Sequence, residues 1–249
     1  MKISIITVAY NSANTIEDTI KSVLAQTYSN LEYILIDGAS TDATMDIVQR
    51  YKENITTVVS EPDKGIYDAM NKGVKLATGD IVGILNSDDF YAHNEVLKRI
   101  VEKFQMSELE GVYADLDYVD AENTSQIVRK WRSGEYQLDA FKKGWMPPHP
   151  TFFVLNKVYK KFGSYNTTLR SAADYEFMLR VIHKENIRLG YLPEVIVKMR
   201  AGGISNASLK NRLKANREDR SAWELNGLKP GLFTLMRKPL SKIFQFLQK

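Results

Sequence analysis

Two β-branched segments decide the fold, KISIITV at residues 2–8 and LEYILI at residues 31–36. Runs of this kind, apolar at most positions, are typical of strands buried on both faces of a parallel sheet. The intervening segment Ala13–Gln26 carries apolar residues at i, i+4, i+7 and i+8, the spacing of one helical face. These residues are Ile16, Ile20, Val23 and Leu24. The whole unit predicts two parallel strands joined by a helix.

The same alternation continues outward to about residue 110. Further strands are predicted at Ile55–Val59 and Asp80–Leu85, and further helices at Thr41–Tyr51, Ile66–Ala77 and Asn94–Phe104. Strands that alternate with helices indicate an α/β fold, in which helices cover both faces of a mostly parallel, Rossmann-like sheet.

The rhythm of the sequence changes near residue 110. The elements predicted beyond it are a hairpin of Val112–Val119 and Ser125–Trp131, strands at Thr151–Leu155 and around Val195–Met199, and a helix from about Ala172 to Lys184. We therefore divide the chain into an α/β half at residues 1–110, a smaller second half at 111–206 and a basic helical tail at 207–249.

Composition excludes several classes of protein. The chain has 249 residues, no cysteine and a formal charge of +4. Residues 207–249 hold ten Lys or Arg against three Asp or Glu, so the first 206 residues are slightly acidic, with 24 against 27. An acidic body with a basic tail argues against a nucleic-acid-binding protein. Without cysteine there is no disulfide framework and no thiolate metal site. No run approaches the ~18 apolar residues of a membrane span, and we expect a cytoplasmic protein.

Polar residues follow each of the first four predicted strands. These segments are Ala9–Ser12, Asp37–Asp42, Glu61–Gly65 and Asn86–Asp89. The carboxyl ends of parallel strands meet at one edge of the sheet, which is where ligands bind in such folds. Carboxylates that converge there repel one another unless a cation or ligand donors lie among them.

The adjacent carboxylates of Asp88 and Asp89 suit Mg²⁺ or Mn²⁺, which would also bind a diphosphate. The alternative is that they cap the next helix. Asp37 is suited to accept hydrogen bonds from a base or a ribose, or to cap the helix after it. Tyr10 is suited to stack on a base, or to pack in the core. The sequence contains neither a G-x-G-x-x-G nor a Walker A motif, which removes the usual dinucleotide and P-loop interpretations.

Two further candidates come from the second half. Asp174 opens a predicted helix, where it would serve as a general base or as a helix cap. His149 lies between two prolines in a segment that cannot be helix interior, and either a structural role or contact with an acceptor is open to it.

Four segments of the first half form a recognisable set: TVAYN at residues 7–11, IDGASTD at 36–42, SEPDKGIYDAMNKG at 60–73 and LNSDD at 85–89. In order and spacing they resemble the family 2 glycosyltransferases of the GT-A fold, of the inverting type found in bacterial polysaccharide and O-antigen synthesis. The second half resembles the family more loosely, through PHPTFF at 148–153, ADYE at 173–176 and MRAGGIS at 199–205.

The resemblance implies a role for each matching residue. Nucleoside binding falls to Ala9, Tyr10, Asn11 and Asp37, with Asp63 and Lys64 near the base and ribose. Asn86, Ser87 and Asp88 correspond to the DxD motif, with Asp88 and Asp89 as metal ligands. Asp174 corresponds to the catalytic base, and His149 is a candidate acceptor contact. The chain departs from the family at Asn86, which replaces the first Asp of the motif and lowers the negative charge at the metal.

The implied function is inverting transfer of a sugar from a nucleotide-diphosphate sugar, taken here as a UDP-sugar, to a saccharide or lipid-linked saccharide. The metal would offset charge on the leaving diphosphate, and a carboxylate on the opposite side would take the proton of the acceptor hydroxyl. One alternative is a sugar-nucleotide nucleotidyltransferase, although its basic, Gly-rich triphosphate loop is missing from Ala9–Thr15. The other is a non-catalytic module that binds nucleotide sugars.

The end of the chain carries an amphipathic pattern. Apolar residues recur at helical spacing within residues 230–249, with Lys and Arg between them and Pro239 in the middle. A basic amphipathic segment of this kind is suited to lie on the inner surface of the cytoplasmic membrane. The alternative is a terminal helix that packs on the enzyme's own core.

Overall fold

The computed structural model describes residues 1–202, 209–231 and 234. Within them, nine strands form one sheet with helices on both faces, which confirms the predicted α/β fold. The strands are β1 Ile3–Ala9, β2 Leu31–Asp37, β3 Thr57–Ser60, β4 Ile81–Ile84, β5 Asp89–Tyr91, β6 Gly111–Val119, β7 Ile127–Trp131, β8 Phe153–Leu155 and β9 Leu189–Arg200. The helices are α1 Ile16–Leu24, α2 Thr44–Arg50, α3 Ile66–Leu76, α4 Val96–Met106, α5 Asn156–Phe162, α6 Ala173–Met178 and α7 Leu209–Leu225.

The strand order places a switch point between β1 and β4. The sheet runs β3-β2-β1-β4-β8-β6-β9-β5, and β7 pairs with β6. Strands β1 to β4 are parallel, so the chain leaves β1 toward β2 on one side and later returns to β4 on the other. In open sheets of this kind the crevice at the switch point is the usual ligand site.

The two halves of the sequence share this sheet. Strand β8 pairs antiparallel with both β4 and β6, and so joins strands from before and after residue 110. Strand β9 lies parallel to β6, and the short β5 pairs antiparallel with β9. The loop that follows β4 therefore runs from a strand paired with β8 to a strand paired with β9.

Burial on both faces explains the apolar strand sequences. All seven residues of β1 are buried. One apolar core packs against α1, α2 and α4, and the other against α3, α5, α6 and α7. Helix α3 lies very close to β1, because a Cβ at Gly73 would overlap with Cγ2 of Ile6. Only glycine permits this approach.

A buried carboxylate, that of Glu32, lies near the amino ends of β1 and β2, away from the edge where ligands bind in such sheets. Glu32 accepts hydrogen bonds from Lys2 Nζ at 2.7 Å, Ser4 Oγ at 2.5 Å and the Thr78 hydroxyl at 2.6 Å. Burial alone would raise the pKa of Glu32, but these hydrogen bonds lower it to about 2.

The structure differs from the sequence prediction in several elements. Helix α2 begins at Thr44, three residues later than the predicted start at Thr41, and it has no side-chain cap. Asp42 instead accepts from the Thr44 amide at 3.0 Å. The helix predicted to Lys184 continues α6 as a π-helix at Leu179–Lys184. Strand β5 and helix α5 were not predicted, because three and seven residues carry too little periodicity.

Helix α7 and the residue that follows it, Asn226, are joined to the second half by two buried hydrogen bonds. Trp223 Nε1 donates to the Tyr175 hydroxyl at 2.9 Å, and Asn226 Nδ2 donates to Glu176 at 3.0 Å. The amphipathic pattern of residues 230–249 lies almost entirely outside the described residues, as does the end of the segment at 199–205. Among the helices that the structure describes, none is long and apolar enough to cross a membrane.

Candidate active site

Two side chains, those of Tyr10 and Asp63, approach Gly38 at the ends of β1 and β2. Tyr10 follows β1 and is 63% exposed, so the alternative of core packing is wrong. Gly38 follows β2, and a Cβ there would clash with an Asp63 carboxylate oxygen and lie 3.4 Å from the Tyr10 ring. Because position 38 is a glycine, the exposed Tyr10 ring and the Asp63 carboxylate can both lie against it. We call Tyr10, Gly38 and Asp63 together the cradle. A planar base can stack on such a ring, and its polar edge can meet the carboxylate.

The loops after β1 and β2 are tied together. The Asn11 amide donates to Ser40 Oγ at 2.8 Å, and Asn11 Oδ1 accepts from the Thr41 amide at 2.9 Å. Asn11 has a positive φ of 49°, which asparagine tolerates better than most residues. The loop holds Ala9 in the buried strand and presents the Tyr10 ring outward.

Asp37, at the end of β2, is hydrogen-bonded both to the loop that follows it and to the end of β3. It is fully buried and accepts from the Ser40 amide at 3.0 Å, Ser40 Oγ at 2.5 Å and Ser60 Oγ at 2.6 Å. Its carboxylate caps no helix, so that alternative is wrong. Its direct contact with a nucleoside stays a prediction.

Asp63 and Lys64 lead directly into α3. Asp63 Oδ1 accepts from the Gly65 amide at 2.8 Å, which leaves Oδ2 beside Gly38. The Lys64 amide donates to Asp68 at 3.0 Å, while its exposed side chain extends from the same edge. This arrangement is compatible with the predicted contact to base and ribose.

The loop after β4 brings Asn86, Ser87, Asp88 and Asp89 to the switch point. Ser87 Oγ lies 2.8 Å from Ser12 Oγ, which links this loop to the one after β1. Asp89 begins strand β5, and α4 starts only at Val96, so the helix-cap alternative for the two aspartates is wrong.

The two aspartates differ in environment. Asp88 is partly exposed, and burial raises its pKa while the charge of Arg200 opposes that shift. Asp89 is fully buried, and its Oδ2 accepts from Asn86 Nδ2 at 3.1 Å. Burial and the neighbouring Asp88 hold the pKa of Asp89 well above its usual range.

The residues present fit a hard divalent cation. Asn86 Oδ1 and Asp89 Oδ1 are buried oxygens without a hydrogen-bond partner in the described part of the chain, and both flank Asp88. No group of three or more His, Cys, Asp or Glu residues with metal-binding geometry occurs there. Mg²⁺ and Mn²⁺ are commonly held by one or two carboxylates plus substrate phosphates, so a site of few protein oxygens suits them.

Arg200, the last residue of β9, braces this loop and was not singled out from the sequence. Its Nη1 donates to the Asp88 carbonyl at 2.8 Å, and its Nη2 pairs with Asp18 of α1. The guanidinium lies 5.0 Å from the centre of the Phe90 ring. One buried cation therefore fixes three segments around Asp88.

Asp174 lies in the first turn of α6 and makes a contact with the first half. It accepts a hydrogen bond from the Tyr67 hydroxyl of α3 at 2.9 Å. Residue Ala172 is the N-cap of α6, with no side-chain cap, so the capping alternative for Asp174 is wrong. Asp174, the candidate catalytic base, is thereby linked to α3, the helix that follows Asp63 and Lys64.

His149 is 8% exposed and lies behind this contact. Its Nε2 is 2.9 Å from the Tyr165 hydroxyl, and burial lowers its pKa although Asp174 opposes that shift. The position favours a structural role, and an acceptor contact stays a prediction.

Tyr118 and Arg129 form a second group without a sequence signal. They pair across β6 and β7, with the guanidinium 4.1 Å from the centre of the Tyr118 ring. Burial raises the pKa of Tyr118, Arg129 opposes the shift, and the carboxylates of Asp89 and Asp174 add to it. Tyr118 therefore lies within electrostatic range of both ends of the candidate site.

Comparison with known proteins agrees with this geometry. The family described as Glycosyl transferase family 2 matches residues 4–163. An uncharacterized glycosyltransferase from Mycobacterium tuberculosis (strain CDC 1551 / Oshkosh) is 34% identical over 187 residues, which cover 72% of this chain and 68% of that protein. The PGL/p-HBAD biosynthesis glycosyltransferase of Mycobacterium bovis (strain BCG / Pasteur 1173P2) is 32% identical over 209 residues, covering 82% and 78% respectively.

Two solved structures share the fold. S. aureus TarS 1–349 in complex with UDP-GlcNAc superposes with a TM-score of 0.72 at 20% identity, over 95% of this chain and 69% of that one. The mannosyltransferase PcManGT from Pyrobaculum calidifontis, in complex with GDP-Man and Mn²⁺, gives 0.68 at 20% identity, over 95% and 68%. At this identity the likeness establishes the fold, which is the predicted GT-A fold.

Proposed function

The chain belongs to glycosyl transferase family 2, and from that premise we propose that it transfers a sugar, with inversion, from a UDP-sugar to a saccharide or lipid-linked saccharide. The observation that carries the proposal is the cradle of Tyr10, Gly38 and Asp63, which the contact between Ser12 and Ser87 links to the Asp88 loop. Asp174 is joined to the same half of the chain through Tyr67. A donor site and a catalytic base for the acceptor are both needed for sugar transfer.

On the donor side, the exposed Tyr10 ring stacks on the base, and the Asp63 carboxylate beside Gly38 accepts from its polar edge. Asn11 and Asp37 act by fixing the loops that form this cradle, and Lys64 extends from its rim. TarS, which shares the fold, forms a complex with UDP-GlcNAc, and this supports uridine as the base. GDP-Man in the PcManGT complex makes a guanosine sugar the competing donor class.

Asp88, with the Asn86 and Asp89 oxygens beside it, would hold a Mg²⁺ or Mn²⁺ ion that neutralises charge on the departing diphosphate. The Mn²⁺ of the PcManGT complex supports a divalent metal. Asp88 is the partly exposed member of the pair and is the principal ligand in this proposal. Asp89 is buried beside it, where burial and the charge of Asp88 raise its pKa, and a bound cation would favour the ionised form that can act as a second ligand.

On the acceptor side, Asp174 takes the proton from the attacking hydroxyl. The bond from the hydroxyl oxygen to the anomeric carbon forms while the bond from that carbon to the diphosphate oxygen breaks. Attack from the face opposite the leaving group inverts the anomeric configuration. The Mycobacterium bovis relative is a glycosyltransferase of PGL/p-HBAD biosynthesis, which supports a glycoconjugate acceptor.

The test is a screen of UDP-, GDP- and dTDP-sugars for release of nucleoside diphosphate, with Mg²⁺ or Mn²⁺ and with EDTA. We expect a UDP-sugar to be turned over with the metal and not with EDTA. Asp88→Ala should abolish the metal-dependent turnover without changing thermal unfolding. Turnover of none of the donors, or equal turnover with EDTA, would contradict the proposal.

A further inference from the structure

Helix α3 belongs to the first half of the chain, and one of its faces contacts the second half, which holds the candidate catalytic base Asp174. Tyr67 donates to Asp174 Oδ1 at 2.9 Å. One turn later, Asn71 Nδ2 donates to the Tyr165 carbonyl and Asn71 Oδ1 accepts from the Tyr165 amide, both at 2.9 Å. Residues at i and i+4 lie on the same side of a helix, so these contacts form one continuous attachment.

The helix that makes these contacts is itself fixed to the donor site. It begins at Ile66, directly after the Asp63–Gly65 turn of the nucleoside cradle. At its other end Gly73 is in close contact with Ile6 of β1. A movement of Asp174 relative to the cradle would therefore have to break the Tyr67 or Asn71 contacts.

The Tyr67 phenol is suited to remain a donor. Burial raises its pKa well above the usual value, and the Asp174 carboxylate adds to that shift. The phenol thus stays protonated at any pH at which the enzyme would work. It occupies Oδ1 of Asp174, and Oδ2 is the oxygen left for an acceptor hydroxyl in the described part of the chain.

Packing holds the Tyr67 ring in place. The ring stacks on Tyr165 with centroids 5.9 Å apart, and the Tyr165 hydroxyl contacts His149 at 2.9 Å and Tyr159 at 3.0 Å. Tyr159 thus carries a buried phenol in the same cluster, but its hydroxyl bonds to Tyr165 and not to the carboxylate. It provides a matched control for a change at Tyr67.

We propose that Tyr67 is a positioning residue, which orients the carboxylate of Asp174 toward the acceptor, and that Asn71 secures the segment on which this depends. The inference rests on the proposed function, in which Asp174 is the base. A hydrogen bond donated to one carboxylate oxygen restricts rotation of the group, so its loss leaves the Asp174 carboxylate free to turn away from the acceptor.

The experiment compares the wild type with Tyr67→Phe and Tyr159→Phe, using the UDP-sugar that the donor screen selects. For Tyr67→Phe we expect kcat to fall by about 10- to 100-fold, the scale of a hydrogen bond to a charged group. The donor KM and the affinity for UDP should stay within about twofold of wild type, since the cradle is unchanged. Tyr159→Phe should leave kcat within about threefold of wild type, because its hydroxyl does not contact Asp174.

A double-variant cycle separates positioning from a general effect on the fold. In an Asp174→Asn background, Tyr67→Phe should change kcat by less than about twofold, because the group that it orients no longer accepts a proton. An equal loss in both backgrounds would overturn the inference, as would equal effects of the two Phe variants. Loss of UDP affinity in Tyr67→Phe would also overturn it, because Tyr67 would then support the donor half.

The proposed function fails in a different way. A wild type that turns over no donor, or an Asp174→Asn variant as active as wild type, would refute the assignment of the base and with it the role of Tyr67. A wild type that is active and an Asp174→Asn variant that is not would leave Tyr67→Phe as the deciding measurement.

Discussion

Replacement of Arg200 by lysine should weaken the metal response of the enzyme. The guanidinium bonds to the Asp88 carbonyl at 2.8 Å with one nitrogen and to Asp18 with another, while it lies over Phe90. Lysine keeps the positive charge but offers a single ammonium, which cannot span both partners as the planar fork does. The Asp88 loop should therefore lose its brace while the charge is retained.

The size of the effect follows from the contact that is lost. A hydrogen bond from a charged donor contributes about 1.5–3 kcal/mol, which corresponds to roughly 10- to 150-fold in an equilibrium constant. The Asp18 carboxylate is mostly exposed, so the ion pair contributes at most about 1 kcal/mol. The bond to the Asp88 carbonyl should dominate the effect.

The assay titrates Mg²⁺ or Mn²⁺ against turnover of the selected donor. We expect Arg200→Lys to raise the metal concentration for half-maximal turnover by about 10-fold or more. The control Asp18→Asn, which keeps the bond to Asp88, should change it by less than about fivefold. A bracing role for Arg200 is refuted if Arg200→Lys responds to metal like the wild type, or if Asp18→Asn has an equal effect.

Four further predictions cover the base, the cradle, stability and the tail. Asp174→Asn should lower turnover by at least ~10²-fold while UDP affinity by calorimetry stays nearly unchanged; a parallel loss of affinity would make Asp174 a binding residue. Gly38→Ala should lower UDP affinity by about 10-fold, since overpacking costs roughly 1–3 kcal/mol and the new Cβ would clash with the Asp63 carboxylate; unchanged affinity would argue against a nucleoside there. The lowered pKa of Glu32, about 2 in the folded state, means that its carboxylate stabilises the fold above the unfolded value of ~4.3 and loses this effect as pH falls toward 2. Urea unfolding should show Glu32→Gln about 2 kcal/mol less stable than wild type near pH 7, allowing for solvent screening, with the difference disappearing toward pH 2; a difference independent of pH would contradict this. The full chain should co-sediment with anionic liposomes at low salt and a chain ending at Lys229 should not, whereas recovery of both in the supernatant would assign the tail a structural role.

The elements predicted best from the sequence are those with strong local patterns. Strands β1 and β2 read as apolar runs because both of their faces are buried, and α1 reads as a helix because one face is. Strand β5 has three residues, and its formation depends on pairing with β9, more than 100 positions later. No local pattern carries that information.

The candidate site divides in the same way. Asp37 and Asp88 could be predicted as site residues because they lie at or just after the ends of strands, and a parallel topology brings such ends to one edge of the sheet. The bond from Tyr67 to Asp174 joins residues 107 positions apart, and Arg200 reaches Asp18 across 182 positions. These contacts depend on how β8 and β9 join the sheet, which the sequence pattern does not specify.

Solvent exposure was the property that could be predicted least well from the sequence. Adjacent aspartates in one motif have different environments, since Asp88 is partly exposed while Asp89 begins a strand and is fully buried. His149 follows a proline in a segment that reads as a loop, yet it lies in the core against Tyr165. Burial of this kind follows from packing around the segment.

The stereochemistry of the sugar product tests the central claim most directly. Proton NMR of an α-linked UDP-sugar with wild-type chain and Mg²⁺ follows the donor and the anomeric proton of the first product. We predict that the UDP-sugar is consumed, that the first-formed product is the β-anomer, and that Asp174→Asn shows neither change on the same timescale. An α-anomer as the first product, or a UDP-sugar that persists with wild-type chain and every acceptor including water, would contradict inverting transfer by this site.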